Sequence, residues 1–309
     1  MTGTVYKSTG SWYSVKTEQG IFYDCKIKGK LRLENFKSTN PIAVGDKVDF
    51  LVESKGEENI GIIQNIHQRK NYVVRKSVNL SKQSHILASN IDLLVMVITL
   101  KDPITTTSFI DRFLVNSEAY SIPTLLVFNK YDIYNKQETN AVNNLIKIYS
   151  DIGYKYLKTS TINNHNIAEL KKIISHKTIM FGGHSGVGKS SLINSIDSSL
   201  DLKVGDISLQ HLQGKHTTTY AELFDLNNST KLIDTPGIKG FGLINFEKEE
   251  ITDFFPEFLK QKTKCKFSNC LHINEPKCQI KEMVEKNLIS LTRYESYIQI
   301  LKDDNLKHR

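Results

Sequence analysis

Eight residues in the second half of the chain constrain its fold more than any others. Gly183-His184-Ser185-Gly186-Val187-Gly188-Lys189-Ser190 follows the spacing G-x-x-x-x-G-K-[ST], with Ser191 continuing it. Glycines at those positions let backbone N–H groups turn inward around a phosphate. The lysine reaches β- and γ-oxygens, and the Ser190 hydroxyl can ligate Mg²⁺. Such a loop works between a strand and a helix. The flanks agree: Thr178–Phe181 has an apolar strand pattern, and a helical pattern starts at Lys189.

The surroundings of the loop set the fold class. Ile91–Leu100, Ile122–Phe128, Tyr154–Leu157 and Lys231–Ile233 read as further strands. Helical patterns lie between them near Ser108–Tyr120, Glu138–Ser150 and Ile167–Ser175. Alternation of this kind predicts a mixed, mostly parallel sheet with helices on both faces. The first 66 or so residues differ. Short β-branched and aromatic runs, including Lys30–Leu33, are punctuated by Gly10, Gly20, Gly29, Gly45 and Gly56. They predict about five strands in a small barrel, of which an OB-fold and an SH3-like barrel are both consistent. After Gly242 the chain is mostly helical and polar. The expected organisation is therefore multidomain α/β: a barrel at 1–68, a nucleotide-binding domain at 69–240, and a helical domain at 241–309. Residues 69–90, with Arg69, Lys70, Arg75, Lys76 and Lys82 and no acid, are expected to be a linker.

Four short motifs accompany the phosphate loop. Asp234-Thr235-Pro236-Gly237 ends a strand, where the Asp234 carboxylate can hold Mg²⁺ through water and the Gly237 amide can meet a γ-phosphate. Asn129-Lys130-Tyr131-Asp132 follows another strand. The Asp132 carboxylate can accept both the N1–H and the exocyclic amine of guanine, a donor pair that adenine lacks, so GTP is favoured over ATP. Lys215-His216-Thr217-Thr218-Thr219 stands where a switch segment belongs, with a threonine such as Thr219 able to close on Mg²⁺. Thr159-Ser160 follows a fourth strand, placing Ser160 near the guanine O6. Ordinary GTPases run from the phosphate loop through the switches to the guanine motifs. Here the guanine motifs come first, which is a circular permutation. One consequence is that the second switch leads directly into the C-terminal segment.

Cys265, Cys270, His272 and Cys278 supply three thiolates and an imidazole within fourteen residues. That is a complete tetrahedral set for one structural Zn²⁺, with no open position for catalysis. The fourth cysteine, Cys25, reads as a buried strand residue, and Trp12 as a barrel core residue before a base-stacking one. Lys260, Lys262, Lys264 and Lys266 fit a solvated face or a phosphate-contacting one. A net charge of +8 permits a polyanionic partner. The first ten residues have no apolar core of a secretory signal, and the longest apolar run is about half a membrane span. A cytosolic, non-membrane monomer is expected.

Together the permuted order, Gly214-Lys215-His216-Thr217-Thr218-Thr219, and C-x₄-C-x-H-x₅-C resemble the bacterial small-subunit-dependent GTPases of the RsgA/YjeQ family. The resemblance covers essentially the whole chain. It implies a GTPase stimulated by the small ribosomal subunit and acting in its late maturation, with barrel and zinc domain gripping ribosomal RNA. It also implies that catalysis rests on Lys189 and Asp234. The water-orienting glutamine is absent, Ile238 following Gly237, and His216 matches a histidine that is a candidate replacement. Thr159-Ser160-Thr161 departs from the usual Ser-Ala start of the guanine loop.

Overall fold

A computed structural model of the chain describes residues 1–27, 41–53, 59–76, 84–200, 221–226, 229–234 and 246–302. The expected strand at 30–33, Lys82, the switch residues Lys215, His216 and Thr219, and Gly237 lie outside the described residues.

The N-terminal strands are β1 (Thr2–Ser8), β2 (Tyr13–Thr17), β3 (Phe22–Ile27), β4 (Lys47–Val52) and β5 (Ile60–Ile66). Inward residues alternate along them, so Val5, Tyr13, Val15, Cys25, Val48, Phe50 and Ile63 share one buried core. Pairing runs β1-β2-β3-β5-β4 and closes through β4 onto β1, with β3 and β5 parallel. That closed five-stranded order is the OB arrangement and decides between the two barrels. Trp12 is not in this core: its ring is exposed, with the Lys26 ammonium 4.0 Å from the centroid.

Residues 72–89 are not a linker. They form a hairpin of β6 (Tyr72–Lys76) and β7 (Ser84–Ser89), because Val73, Val74, Ile86 and Ala88 bury against the main core. The basic residues obscure this apolar face in the sequence.

The central sheet comprises β8 (Leu93–Ile98), β9 (Thr124–Phe128), β10 (Lys155–Lys158), β11 (Thr178–Gly182), β12 (Glu222–Leu226) and β13 (Thr230–Asp234). Its order is β10-β9-β8-β11-β13-β12, parallel except for β12. Helices α1 (Thr107–Ala119) and α2 (Lys136–Ile152) cover one face, α3 (Ile167–Ile174) and α4 (Lys189–Ile196) the other. Strand β8 shows why the pattern is continuous rather than alternating. Leu94, Met96 and Ile98 face α1, while Leu93, Val95 and Val97 face α3 and α4. Strand β12 then pairs with β1 of the barrel at Lys7–Glu222, so both sheets join into one of eleven strands.

Helices α5 (Pro256–Leu259), α6 (Gln279–Glu285) and α7 (Leu291–Lys302) complete the described chain. Their core of Phe255, Phe258, Ile280, Tyr297 and Ile300 includes Val115 of α1. No helix among the described residues is long and apolar enough to cross a membrane.

Candidate nucleotide site and metal centre

The phosphate-loop motif connects β11 to α4 at the carboxyl edge of the parallel strands, where α/β folds open a crevice. Two glycines show why the spacing is needed. Gly183 has φ +134°, and a Cβ there would sit 2.5 Å from the Val97 carbonyl oxygen. Gly188 has φ +95°, and a Cβ would sit 2.4 Å from Asn129 Nδ2. The loop thus turns back on itself and delivers Lys189 and Ser190 on the first turn of α4, both buried. Lys189 Nζ donates to the carbonyl oxygens of Gly183 and His184 at 2.8 and 2.5 Å. Burial pushes its pKa down to about 8. Ser185, Gly186 and Val187 form the crest of the loop, Val187 buried and the other two exposed. His184 stacks on Phe109 of α1 with centroids 3.8 Å apart.

Asn129 directly follows β9 and is buried between two loops. Its amide nitrogen donates to the Val187 carbonyl at 2.9 Å, and its oxygen accepts from the Thr159 hydroxyl at 3.0 Å. One side chain therefore ties the Asn129–Asp132 turn to the phosphate loop and to the loop after β10. The Thr159 carbonyl also accepts from Tyr131 N at 3.0 Å. Lys130 is left-handed (φ 58°), and its ammonium donates to the Asp102 carbonyl. Asp132 follows on an exposed short 3-10 turn. The Tyr131 ring stacks on His165 at 5.9 Å beneath the Lys158 ammonium. Ser160 is fully buried; its N–H donates to the His165 carbonyl and its hydroxyl accepts from Ile162 N, each at 3.2 Å.

The structure thus brings the phosphate loop, the Asn129–Asp132 turn and the Thr159-Ser160 loop to one edge. Asp234 lies on the neighbouring β13, one register step past the Met180–Ile233 pair and therefore beside the loop entrance. The sequence marks the Thr159-Ser160 loop but not the hold of Thr159 on Asn129, and it does not mark Tyr134 at all. Thr159 clamps Asn129, and Tyr134 donates its hydroxyl to the Asn129 carbonyl at 3.1 Å while accepting from Leu100 N at 2.9 Å. Tyr134 has no motif signature, and the role of Thr159 is identified only by the strand ends it joins.

Cys265, Cys270, His272 and Cys278 converge, with all four donor atoms within 4.8 Å of one another. His272 Nδ1 stands 3.7 Å from Cys265 Sγ and 3.3 Å from Cys278 Sγ. Tetrahedral zinc with ordinary bond lengths needs an N–S edge of about 3.6 Å, so the donor set fits this ion. Backbone geometry is fixed around it. His272 is left-handed (φ 57°), and Glu275, which no sequence motif marks, accepts from Leu271 N at 2.7 Å and Ile273 N at 2.8 Å. Tyr294 and Tyr297 hydroxyls donate to the carbonyls of His272 and Leu271. Of the nearby lysines, Lys262 pairs with Asp253.

Comparison with known proteins agrees with this architecture. Residues 66–244 match the family model for the RsgA GTPase, and residues 2–63 that for the RsgA N-terminal domain. A protein of Christiangramia forsetii named small ribosomal subunit biogenesis GTPase RsgA is 54% identical over 309 residues, covering 100% of this chain and 98% of its own. The crystal structure of YjeQ from Thermotoga maritima is 35% identical, with a TM-score of 0.78 over 97% of this chain and 96% of that one. That of YloQ, described as a circularly permuted GTPase, is 26% identical, with a TM-score of 0.74 over 98% and 94%.

Proposed function

This chain belongs to the RsgA GTPase family and is a GTP-hydrolysing enzyme of small ribosomal subunit biogenesis, and from the arrangement above we propose how its residues divide that work. Gly183–Ser190 and Ser191 cradle the phosphates. The Lys189 ammonium leaves the loop carbonyls for the β- and γ-oxygens and offsets charge developing there. Ser190, Asp234 and Thr219 hold Mg²⁺, which supplies further charge stabilisation when bound. Asp132 reads the guanine edge, flanked by Lys130 and Tyr131, with Ser160 closing the base pocket. Gly237 meets the γ-phosphate, and His216 orients the attacking water in place of the missing glutamine. Cys265, Cys270, His272 and Cys278 hold one Zn²⁺ as a fold-stabilising centre.

The chain divides functionally at 1–68, 69–240 and 241–309. The small subunit stimulates hydrolysis, the second switch passes the nucleotide state to the zinc domain, and barrel and zinc domain contact ribosomal RNA. The protein acts as a cytoplasmic monomer. The observation that carries most of this is the Asn129 bridge. It supports a permuted chain closing the same site as an unpermuted one, since base-reading and phosphate-holding loops share one side chain. The test is GTP turnover with and without purified small subunits, for the native chain and Asp132→Asn. Stimulation of the native chain is expected, together with a shift of the variant from GTP toward xanthosine triphosphate. No stimulation refutes the ribosomal reading, and unchanged specificity refutes the guanine assignment.

A further inference from the structure

At the opposite edge of the sheet from the nucleotide site, a cleft of about 700 Å³ lies between the barrel and the parallel strands. The starts of β4, β8, β11 and β13 meet there. Among the described residues its lining has five cations, Lys47, Arg69, Lys70, Lys177 and Lys231, against one carboxylate, Asp92. Two of the cations are already engaged. Arg69 donates from Nε and Nη2 to the buried Asp46 at 2.7 and 2.6 Å. Lys70 pairs with Asp92 at 3.1 Å, and the other Asp92 oxygen accepts from Thr178 N at 2.9 Å. The single acid is thus satisfied by groups that are part of the wall.

Lys47, Lys177 and Lys231 remain without an ion pair among the described residues. Lys47 comes from the barrel and is exposed. Lys177 and Lys231 stand side by side at the starts of β11 and β13, where Lys231 N donates to the Lys177 carbonyl at 2.9 Å. Among the described residues the Lys177 ammonium donates to the Ile173 carbonyl. The Lys231 ammonium also lies 5.7 Å from the Tyr6 ring centroid and near the Asp225 carboxylate, which pairs with Lys16, so the cleft keeps a net positive charge that an entering anion offsets. Among the described residues no Phe, Tyr or Trp lines the cleft; its aromatic ring is His176 and its large apolar residue is Leu223. A mononucleotide site uses an aromatic or apolar wall for the base. Lysines alone recognise phosphate as point charges, without reading sequence.

We propose that this cleft binds the phosphodiester backbone of an RNA strand, which bridges the barrel to the G domain while GTP occupies the far edge. This rests on the ribosomal reading above and extends it to a surface between the two regions. Strand β11 is five residues, about 17 Å, long, so the two ligands are held apart and bind together. Lys231 is the second residue of the strand that Asp234 ends, which places RNA contact and the magnesium position on one rigid element.

The test uses full-length, GDP-saturated protein and a fluorescein-labelled twelve-residue oligouridylate followed by anisotropy over a salt series. Lys47→Glu with Lys231→Glu takes one cation from each wall; Lys155→Glu with Lys172→Glu makes the same charge change elsewhere. The cleft pair is expected to weaken RNA binding about tenfold or more at low salt and to reduce the salt slope by about 1.4, near 0.7 for each phosphate that is no longer neutralised. The control pair leaves the slope unchanged. Lys47→Gln with Lys231→Gln, which adds no negative charge, moves the slope in the same direction and guards against misfolding of the reversal variant. Equal slopes for cleft and control pairs overturn the proposal. Displacement of the RNA by uridine monophosphate at equal phosphate concentration also overturns it, because the site then takes free phosphate rather than a strand. Subunit-stimulated GTP turnover measured on the same preparations separates the two failures. A native chain without stimulation fails the ribosomal reading, and a cleft variant indistinguishable from native fails only the cleft.

Discussion

Replacing Arg293 with methionine tests what joins the C-terminal helices to the nucleotide-binding half. Arg293 projects from α7 with no solvent exposure. Its Nε and Nη2 donate to the two oxygens of Glu257 at 2.8 and 3.1 Å, and Nη1 donates to Asp111 Oδ1 at 2.8 Å. Asp111 belongs to α1, and its Oδ1 also accepts from the Tyr149 hydroxyl of α2 at 2.7 Å. Burial by itself opposes the guanidinium charge, but Glu257 and Asp111 outweigh it and hold the group protonated. Methionine fills much of the volume yet leaves the buried Asp111 carboxylate and the partly buried Glu257 carboxylate without their shared cation. Removing one partner of a buried ion pair costs about 3–5 kcal/mol. Taking about 2.1 cal/mol/K of unfolding entropy per residue over 309 residues, one cooperative transition falls by about 5–8 °C. Scanning calorimetry of Arg293→Met reads this directly. The triple variant Asp111→Leu, Glu257→Met, Arg293→Met is expected to recover most of the loss, since an apolar core of similar volume can match a buried ionic triad. A fall below about 1 °C for the single variant would refute the assignment of this cluster as the domain joint.

Two further outcomes follow from the sites. Gly188→Ala drives a methyl into Asn129 Nδ2 and breaks the bridge to Val187, so GTP affinity by titration calorimetry is expected to fall about tenfold or more. Gly153→Ala, equally left-handed but with nothing within 4 Å, costs about 1 kcal/mol of stability and leaves GTP affinity unchanged. Alkylation at pH 8 followed by mass spectrometry checks the metal centre: Cys265, Cys270 and Cys278 are modified only after a chelator strips the ion. Cys25, fully buried with its thiol pushed up to about 12 by burial and the Asp24 charge, stays protected until the barrel unfolds. Labelling of Cys25 in the native protein would contradict its place in the barrel core.

The difference between what sequence and structure reveal is a difference of range. Gly183–Ser190, Asn129–Asp132 and Cys265–Cys278 are short segments whose residue types and spacings are dictated by local chemistry: inward N–H groups, a carboxylate at a strand end, four donors for one ion. The same holds for the alternation of strands and helices, because burial on two faces leaves continuous apolar runs such as Leu93–Ile98. These features, and the permuted order in which they occur, were therefore determined by the sequence itself. Tertiary structure decided the rest. The hairpin at 72–89 exists because its apolar face meets the main core, which its basic residues conceal. Strand β12 joins the barrel through Lys7 and Glu222, 215 residues apart, and no local pattern encodes such a partner. Thr159, Tyr134 and Glu275 matter only for the groups they meet, and Arg293 only because Asp111 and Glu257 surround it. The basic cleft likewise arises from lysines at 47, 177 and 231 that share nothing in sequence. Local propensity and motif chemistry act over a few residues, whereas pairing, burial and charge clustering depend on which distant surfaces the closed fold brings together.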